Sequence, residues 1–393
     1  MNNVHRFLAI AALLGVSLLG TMSAQNGFVE TDLVADAKPL IDSNGIVHTP
    51  VNLDPHLVNP WGVGTSGGSP FWVSDNNAGV STLYNTAGTP QTLVVSMPSP
   101  GDPLGSSGTP TGLVFNISSD PNAFKLSGFS KAGAPVSARA VFLFSTEDGT
   151  ILGWNPGVNP AGFDPAKAGT YAIIAVDNSA KPDAANGAVY KGLAIATDSN
   201  GRTLLYATNF RSGTVDVFDG NFATPTTPAP LPAHAFTDPN LKKGYAPFNI
   251  VSANGKLFVT YAVQNETRHD DVGGQSHGIV DTFDLDGSGQ QRFAQHGQLN
   301  SPWGVAVAPA SFGQFAGDIL IGNFGNGHIN VYSSTGEFVD KLRDPNGQAI
   351  VIDGLWTLRV GNGGNGGNAN TVYFTAGPNG ESDGLFGSLT PAQ

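Results

Sequence analysis

One apolar stretch returns six times along the 393 residues, and no other feature limits the fold so tightly. "NPWGVGT" starts at 59, "GTPTGLVFN" at 108, "VYKGLAIAT" at 189, "YAPFNIVSA" at 245, "NSPWGVAVA" at 300 and "DGLWTLRVG" at 353. Aligned, one column holds Gly62, Gly112, Gly192, Asn249, Gly304 and Thr357, at intervals of 50, 80, 57, 55 and 53 residues. After each copy come further short runs rich in Val, Ile, Phe and Tyr, such as "PFWVSDNNAG" and "LLYATNFRSGT", broken by Gly, Asn and Asp. That is strand-and-turn chemistry. A period near 50 residues with three or four strands per unit describes a β-propeller blade. The expected fold is all-β, a six-bladed β-propeller.

The last copy ends after a third strand, "GLFGSL", one strand short of a full blade. The run "FVETDLVADA" from Phe28 is an unclaimed strand, and adding it to the last blade would close the ring and cover an exposed edge. Residues 25–393 are therefore expected to form one domain. "NISSDPNAFKLSGFSKAGAPVSARA" and "NPGVNPAGFDPAKAGTY" read as loops inserted in the second blade, and "GNFATPTTPAPLPAHAF" as a Pro-rich outer connection.

Residues 1–24 have the pattern of an export signal: a polar start with Arg6, the apolar run "FLAIAALLGVSLLG", and small residues before a cleavage point after Ala24. The run is short for a membrane span. With no Cys, a disulfide framework is impossible. These features lead to the expectation of a periplasmic or extracellular protein, free of the membrane once the signal is removed, and monomeric. A formal net charge of −12 argues against a nucleic-acid partner, which needs a basic footprint.

The motifs "NPWGV", "FWVSDN", "TEDGTILGWNPG", "YKGLA", "GYAPFNI", "RHDDV", "NSPWGVA" and "IDGLW", spread from about Leu33 to Leu389, resemble an exported bacterial propeller family of unassigned function. The resemblance implies a six-bladed propeller similar in shape to NHL-repeat proteins. It implies no reaction, substrate or catalytic residues, and no organic cofactor is evident from the sequence.

In a propeller the entrance to each innermost strand and the turn between second and third strands emerge on one face. That face collects the unusual residues. Asn59, Asn249, Asn300 and Asp353 lie at strand entrances and could offer oxygen atoms to Ca²⁺ or another divalent cation at the channel mouth. Glu147, Asn209, Asn323 and Glu381 lie at second-to-third turns. Trp61, Trp303 and Trp356 share one column with Phe248; they offer stacking faces to a ligand or pack between blades. Trp72 and Trp154 are expected in the core. Only 12% of the chain is charged, yet Arg268, His269, Asp270 and Asp271 stand together in a long loop of the fourth blade. His269 with Asp270 or Asp271 has the makings of a general acid/base pair, with Arg268 stabilising developing negative charge, and Arg268 is expected opposite a carboxylate. Against this, neighbours on an extended chain point to opposite sides. The functional expectation is a protein that binds a small-molecule, carbohydrate or peptide ligand at this face, with a metal-assisted hydrolase or lyase for a lactone, sugar or related metabolite as the alternative.

Overall fold

A computed structural model describes residues 27–227 and 229–392. The leader segment, residues 1–24, lies outside them. Six sheets are built on the six repeated strands, antiparallel except where Asn52–Leu53 adds in parallel at the edge of the last. Blade one pairs Pro60–Gly64, Phe71–Asp75, Val80–Tyr84 and Val95–Ser96. Blade two pairs Pro110–Phe115, Phe142–Thr146, Thr150–Trp154 and Ile173–Asp177. Blade three has Tyr190–Thr197, Thr203–Asn209 and Thr214–Phe218, and among the described residues no fourth strand pairs with it. The Pro-rich segment after Phe218 supplies few backbone donors, which a ladder requires. Blade four comprises Tyr245–Ala253, Lys256–Val263, Ile279–Phe283 and Gln291–Gln295. Blade five comprises Pro302–Val307, Ile319–Asn323, Ile329–Tyr332 and Phe338–Lys341.

Blade six closes the ring as the sequence predicts. Its strands Leu355–Val360, Val372–Ala376 and Leu385–Pro391 are completed by Phe28–Ala35, which runs antiparallel to the last of them with Phe28 opposite Pro391 and Glu30 opposite Leu389. Phe28 also packs against Phe312 and Phe315 of blade five, with ring centroids 4.6 and 5.8 Å away. One departure from expectation lies in blade two, where the first insertion forms a hairpin of Lys125–Phe129 and Pro135–Arg139 in place of a loop. Leu126 and Ala140 bury this hairpin against the cluster that fills the gap to blade three.

The apolar core is divided between the blades. Separate clusters fill each gap, from Trp72, Phe142 and Trp154 between blades one and two to Phe71, Tyr373 and Phe386 between six and one. Innermost strands of neighbouring blades touch backbone to backbone at the glycine column. A Cβ on Gly112 would lie 2.4 Å from Leu193 N, and one on Gly192 would lie 2.7 Å from the Cα of Asn249. Glycine recurs there because the strands converge too closely for a side chain. Just above that constriction, side chains from several blades meet on the axis. Trp61 and Trp356 stack at 3.6 Å, Trp303 meets both edge-on near 6 Å, and Phe248 and Phe324 pack on Trp356. This aromatic plug separates the loop-rich mouth of the channel from the cavity beneath it.

Candidate active site at the channel mouth

Lys191 is the centre of the mouth. It belongs to the innermost strand of blade three, in the same repeat column as Trp61, Thr111, Phe248, Trp303 and Trp356. Its residue surface is only 2% exposed, and Nζ sits 5.1 Å from the centroid of Trp61 and 5.9 Å from that of Phe210. Burying an ammonium requires compensation. Nζ donates to Glu147 Oε1 and lies 3.4 Å from Asp270 Oδ1. Burial disfavours its charge, but the charge and hydrogen bond of Glu147, helped by Asp270 and Asp271, outweigh burial and raise its pKa. The carboxylates thus favour the ammonium form over a neutral amine.

Glu147 is held from the other side by Asn76, whose Nδ2 donates to Oε2 at 2.9 Å. Asn59 repeats the pattern across the seam between blades one and six. Its Nδ2 donates to Glu381 Oε2 at 2.7 Å, and its Oδ1 accepts from Trp356 Nε1 at 2.9 Å. Asn59 reaches these partners with φ at 50° and Glu381 with φ at 70°, left-handed backbone that Asn tolerates better than Glu. Burial raises the Glu381 carboxyl above its usual range, partly offset by the Asn59 hydrogen bond. Glu147 and Glu381 thus face one mouth, bridged by asparagines.

The long loop of blade four, between Lys256–Val263 and Ile279–Phe283, delivers the remaining groups. His269 Nδ1 and Asp270 Oδ1 are 2.7 Å apart although the residues are adjacent. The loop is not extended there. Arg268 takes φ 55°, its N–H donates to Asn265 O, and Asn265 Oδ1 accepts the His269 N–H, so a tight turn brings both side chains together. The His269 hydrogen bond, assisted by the Lys191 charge against some cost from burial, lowers Asp270 to about 2. Burial instead raises Asp271. Arg268 does not oppose a carboxylate: Nη2 donates to the side-chain oxygen of Asn186, and the residue is exposed.

The other sequence candidates have structural partners. Asn249 is buried, donating to Trp303 O and accepting from Ile250 N. Asn300 Oδ1 accepts from Gly274 N, and Asp353 Oδ2 accepts from Ser43 N and Asn379 N. Asn59 is bonded to Glu381 and Trp356, so each of these four has hydrogen-bond partners within the protein. Asn209 bonds to Asp216 and Ser212, and Asn323 to Gln298 O and Asn326, as turn supports. Trp61, Trp303 and Trp356 are 1–3% exposed and pack on one another, Trp61 against Trp356 face to face and Trp303 edge-on, which leaves little of them open at the mouth.

Two groups among the described residues could hold a metal ion: Glu147, His269 and Asp270 at the mouth, and Glu30, Asp32 and His48 at the ring closure. The first is compatible with a divalent cation. Lys191 Nζ already bridges its two carboxylates, so an ion there must compete with a resident positive charge.

The chain is 30% identical over 344 residues to an uncharacterized protein of Acanthamoeba polyphaga mimivirus, covering 86% of this chain and 82% of that one. A second uncharacterized mimivirus protein is 27% identical over 360 residues, covering 89% and 78%. The bacterial and exported character implied by the motif resemblance thus rests on the motifs alone. No family model matches. Similar solved structures include a streptogramin B lyase (13% identity, TM-score 0.46, covering 94% of this chain and 99% of that one). A PQQ-bound aldose sugar dehydrogenase from Streptomyces coelicolor gives 13% identity and TM-score 0.48, over 94% and 99%. The calcium-binding protein regucalcin from Agrobacterium tumefaciens gives 11% and 0.47, over 93% and 98%. Likenesses at this level carry no chemistry across.

Proposed function

The chain belongs to the family of the mimivirus protein that it matches at 30% identity, a relative without an assigned activity, and we propose that it is a ligand-binding propeller whose site is the acidic channel mouth. The clamped Lys191 carries this reading. The fold does not require an ammonium there, since the other five blades fill the same column with Trp, Phe or Thr. Holding it in place takes Glu147 and Asp270 from two further blades. Four carboxylates (Glu147, Asp270, Asp271, Glu381) surround one ammonium, so the mouth favours a neutral polyhydroxylated ligand or a cationic one over an anion. Hydrogen-bonding acids and amides gathered at one mouth suit a carbohydrate or related small molecule.

Thermal-shift screening against sugars, lactones and amines tests the reading. A ligand found this way should lose at least about tenfold in affinity when Glu147→Gln or Asp270→Asn removes a charged contact. A ligand that binds both variants as tightly as the wild type places the site elsewhere.

One observation favours the enzymatic alternative, a metal-assisted hydrolase or lyase. The imidazole of His269 is oriented by Asp270 at 2.7 Å and is partly open to solvent, the arrangement of a general base. Turnover of a lactone or glycoside that His269→Ala abolishes while binding persists would establish it. Export is proposed from the leader segment only, and N-terminal sequencing of secreted protein, expected to begin after Ala24, checks it.

A further inference from the structure

Beneath the aromatic plug the propeller has an open cavity of about 630 Å³ that reaches the far ends of the innermost strands, where its rim includes the exposed Ile117. Every blade contributes an apolar wall residue: Val63, Leu113, Leu193, Ile250, Val305 and Leu358. The next repeat column reads Gly64, Val114, Ala194, Val251, Ala306 and then Arg359. Arg359 is the one ionisable side chain lining the cavity among the described residues. Its Nη2 donates to Thr65 Oγ1 at 3.1 Å, while Nε is buried without a hydrogen-bond partner among the described residues. Among the described residues no carboxylate lies within ion-pair distance of it. Burial lowers its pKa to about 10, still charged at neutral pH.

Arg359 is half-buried, and a guanidinium in a largely apolar wall with no carboxylate beside it gains from an anion that completes it. Arginine presents parallel N–H donors that match a carboxylate in two-point contact. A single positive charge balances a monoanion and leaves a dianion such as a phosphate monoester undercompensated. The surrounding walls reward an aliphatic body, and the volume suits a small molecule. We infer that the central channel is a second binding site, separate from the mouth, which takes an aliphatic monocarboxylate with its acid group on Arg359 and its chain along the channel.

Titration calorimetry with octanoate, 1-octanol and octylammonium tests this on the wild-type protein and on Arg359→Met. Octanoate should bind the wild type at least about tenfold more tightly than either octanol or octylammonium, and Arg359→Met should erase that preference. Arg359→Met puts a side chain of similar reach into an apolar wall, and the three-ligand comparison on the wild type decides the matter even if the variant folds poorly. Absence of octanoate binding at millimolar concentration overturns the proposal. So does equal binding of octanoate and octanol, or an undiminished octanoate affinity in a folded Arg359→Met.

Discussion

The ring closure should be tuned by pH, through Glu30. This residue lies on the strand that completes blade six, and its Oε1 is buried without a hydrogen-bond partner among the described residues, 3.9 Å from His48 Nδ1. Burial first, then the neighbouring charge of Asp32, pushes the carboxyl from an ordinary 4.5 up to about 7. Below 4.5 the group is protonated whether the chain is folded or not. Between 4.5 and 7 the unfolded chain releases its proton while the folded one keeps it, so stability falls as pH rises. Above 7 the loss is complete. At about 1.4 kcal/mol per pH unit, the interval from 4.5 to about 7 amounts to roughly 3 kcal/mol. His48 acts in the same direction. Its burial lowers the pKa, but hydrogen bonding and charge from Asp32, with Glu30 and Asp42, raise it above 6.5, so its contribution is full below 6.5 and lost as pH rises through the folded value. Replacing Glu30 with Gln keeps the shape and removes the ionisation. With an unfolding entropy of about 2 cal/mol/K per residue, a chain of this size changes its Tm by roughly 1.3 °C per kcal/mol. The Tm of Glu30→Gln should therefore gain about 4 °C on the wild type between pH 4.5 and pH 8. Calorimetry across that range is the assay. Parallel Tm curves for the two proteins would show that Glu30 ionises freely in the fold and would refute the reasoning.

Deleting residues 27–38 should cost roughly 5 kcal/mol or more, because Phe28, Leu33, Val34 and Ala35 all leave the core; a truncated protein that melts like the intact one contradicts the closure. His269→Ala should raise the Asp270 pKa from about 2 towards the ordinary carboxylate range, since the imidazole hydrogen bond is its largest cause, and a carboxylate titration followed by NMR reads this directly. Lys191→Met should destabilise the fold by about 1–3 kcal/mol by leaving Glu147 without its cation. The same variant frees Glu147, His269 and Asp270 for a metal, so added Zn²⁺ should raise its Tm more than that of the wild type. Equal metal responses in the two proteins would mean that Lys191 does not compete for that position.

The fold was legible in the sequence because a propeller repeats its constraints. Convergence of the innermost strands favours glycine at one column, filled by glycine in four of the six blades, and the blade edges demand a closing strand, so both leave marks in the sequence. The blade-two hairpin Lys125–Arg139 was not legible, since Ser, Gly and Lys weaken any alternation and its pairing is secured by burial against blade three. The mouth was half legible. The "RHDD" run stood out by charge density, and the turn that brings His269 onto Asp270 could not be foreseen from chain extension, because it depends on Asn265 and on the left-handed backbone at Arg268. Lys191 escaped notice, although its signal was present. It occupies a column otherwise filled by Trp61, Thr111, Phe248, Trp303 and Trp356. Arg359 departs in the same way from a column of Gly64, Val114, Ala194, Val251 and Ala306. In a closed ring of similar blades the column average reports what packing needs, and a charged residue departing from it incurs a burial cost that five equivalent positions avoid. Such a departure is a better guide to function than the conspicuous Asn and Trp residues, which recur between blades because the architecture uses them to fix strand entry and to plug the axis.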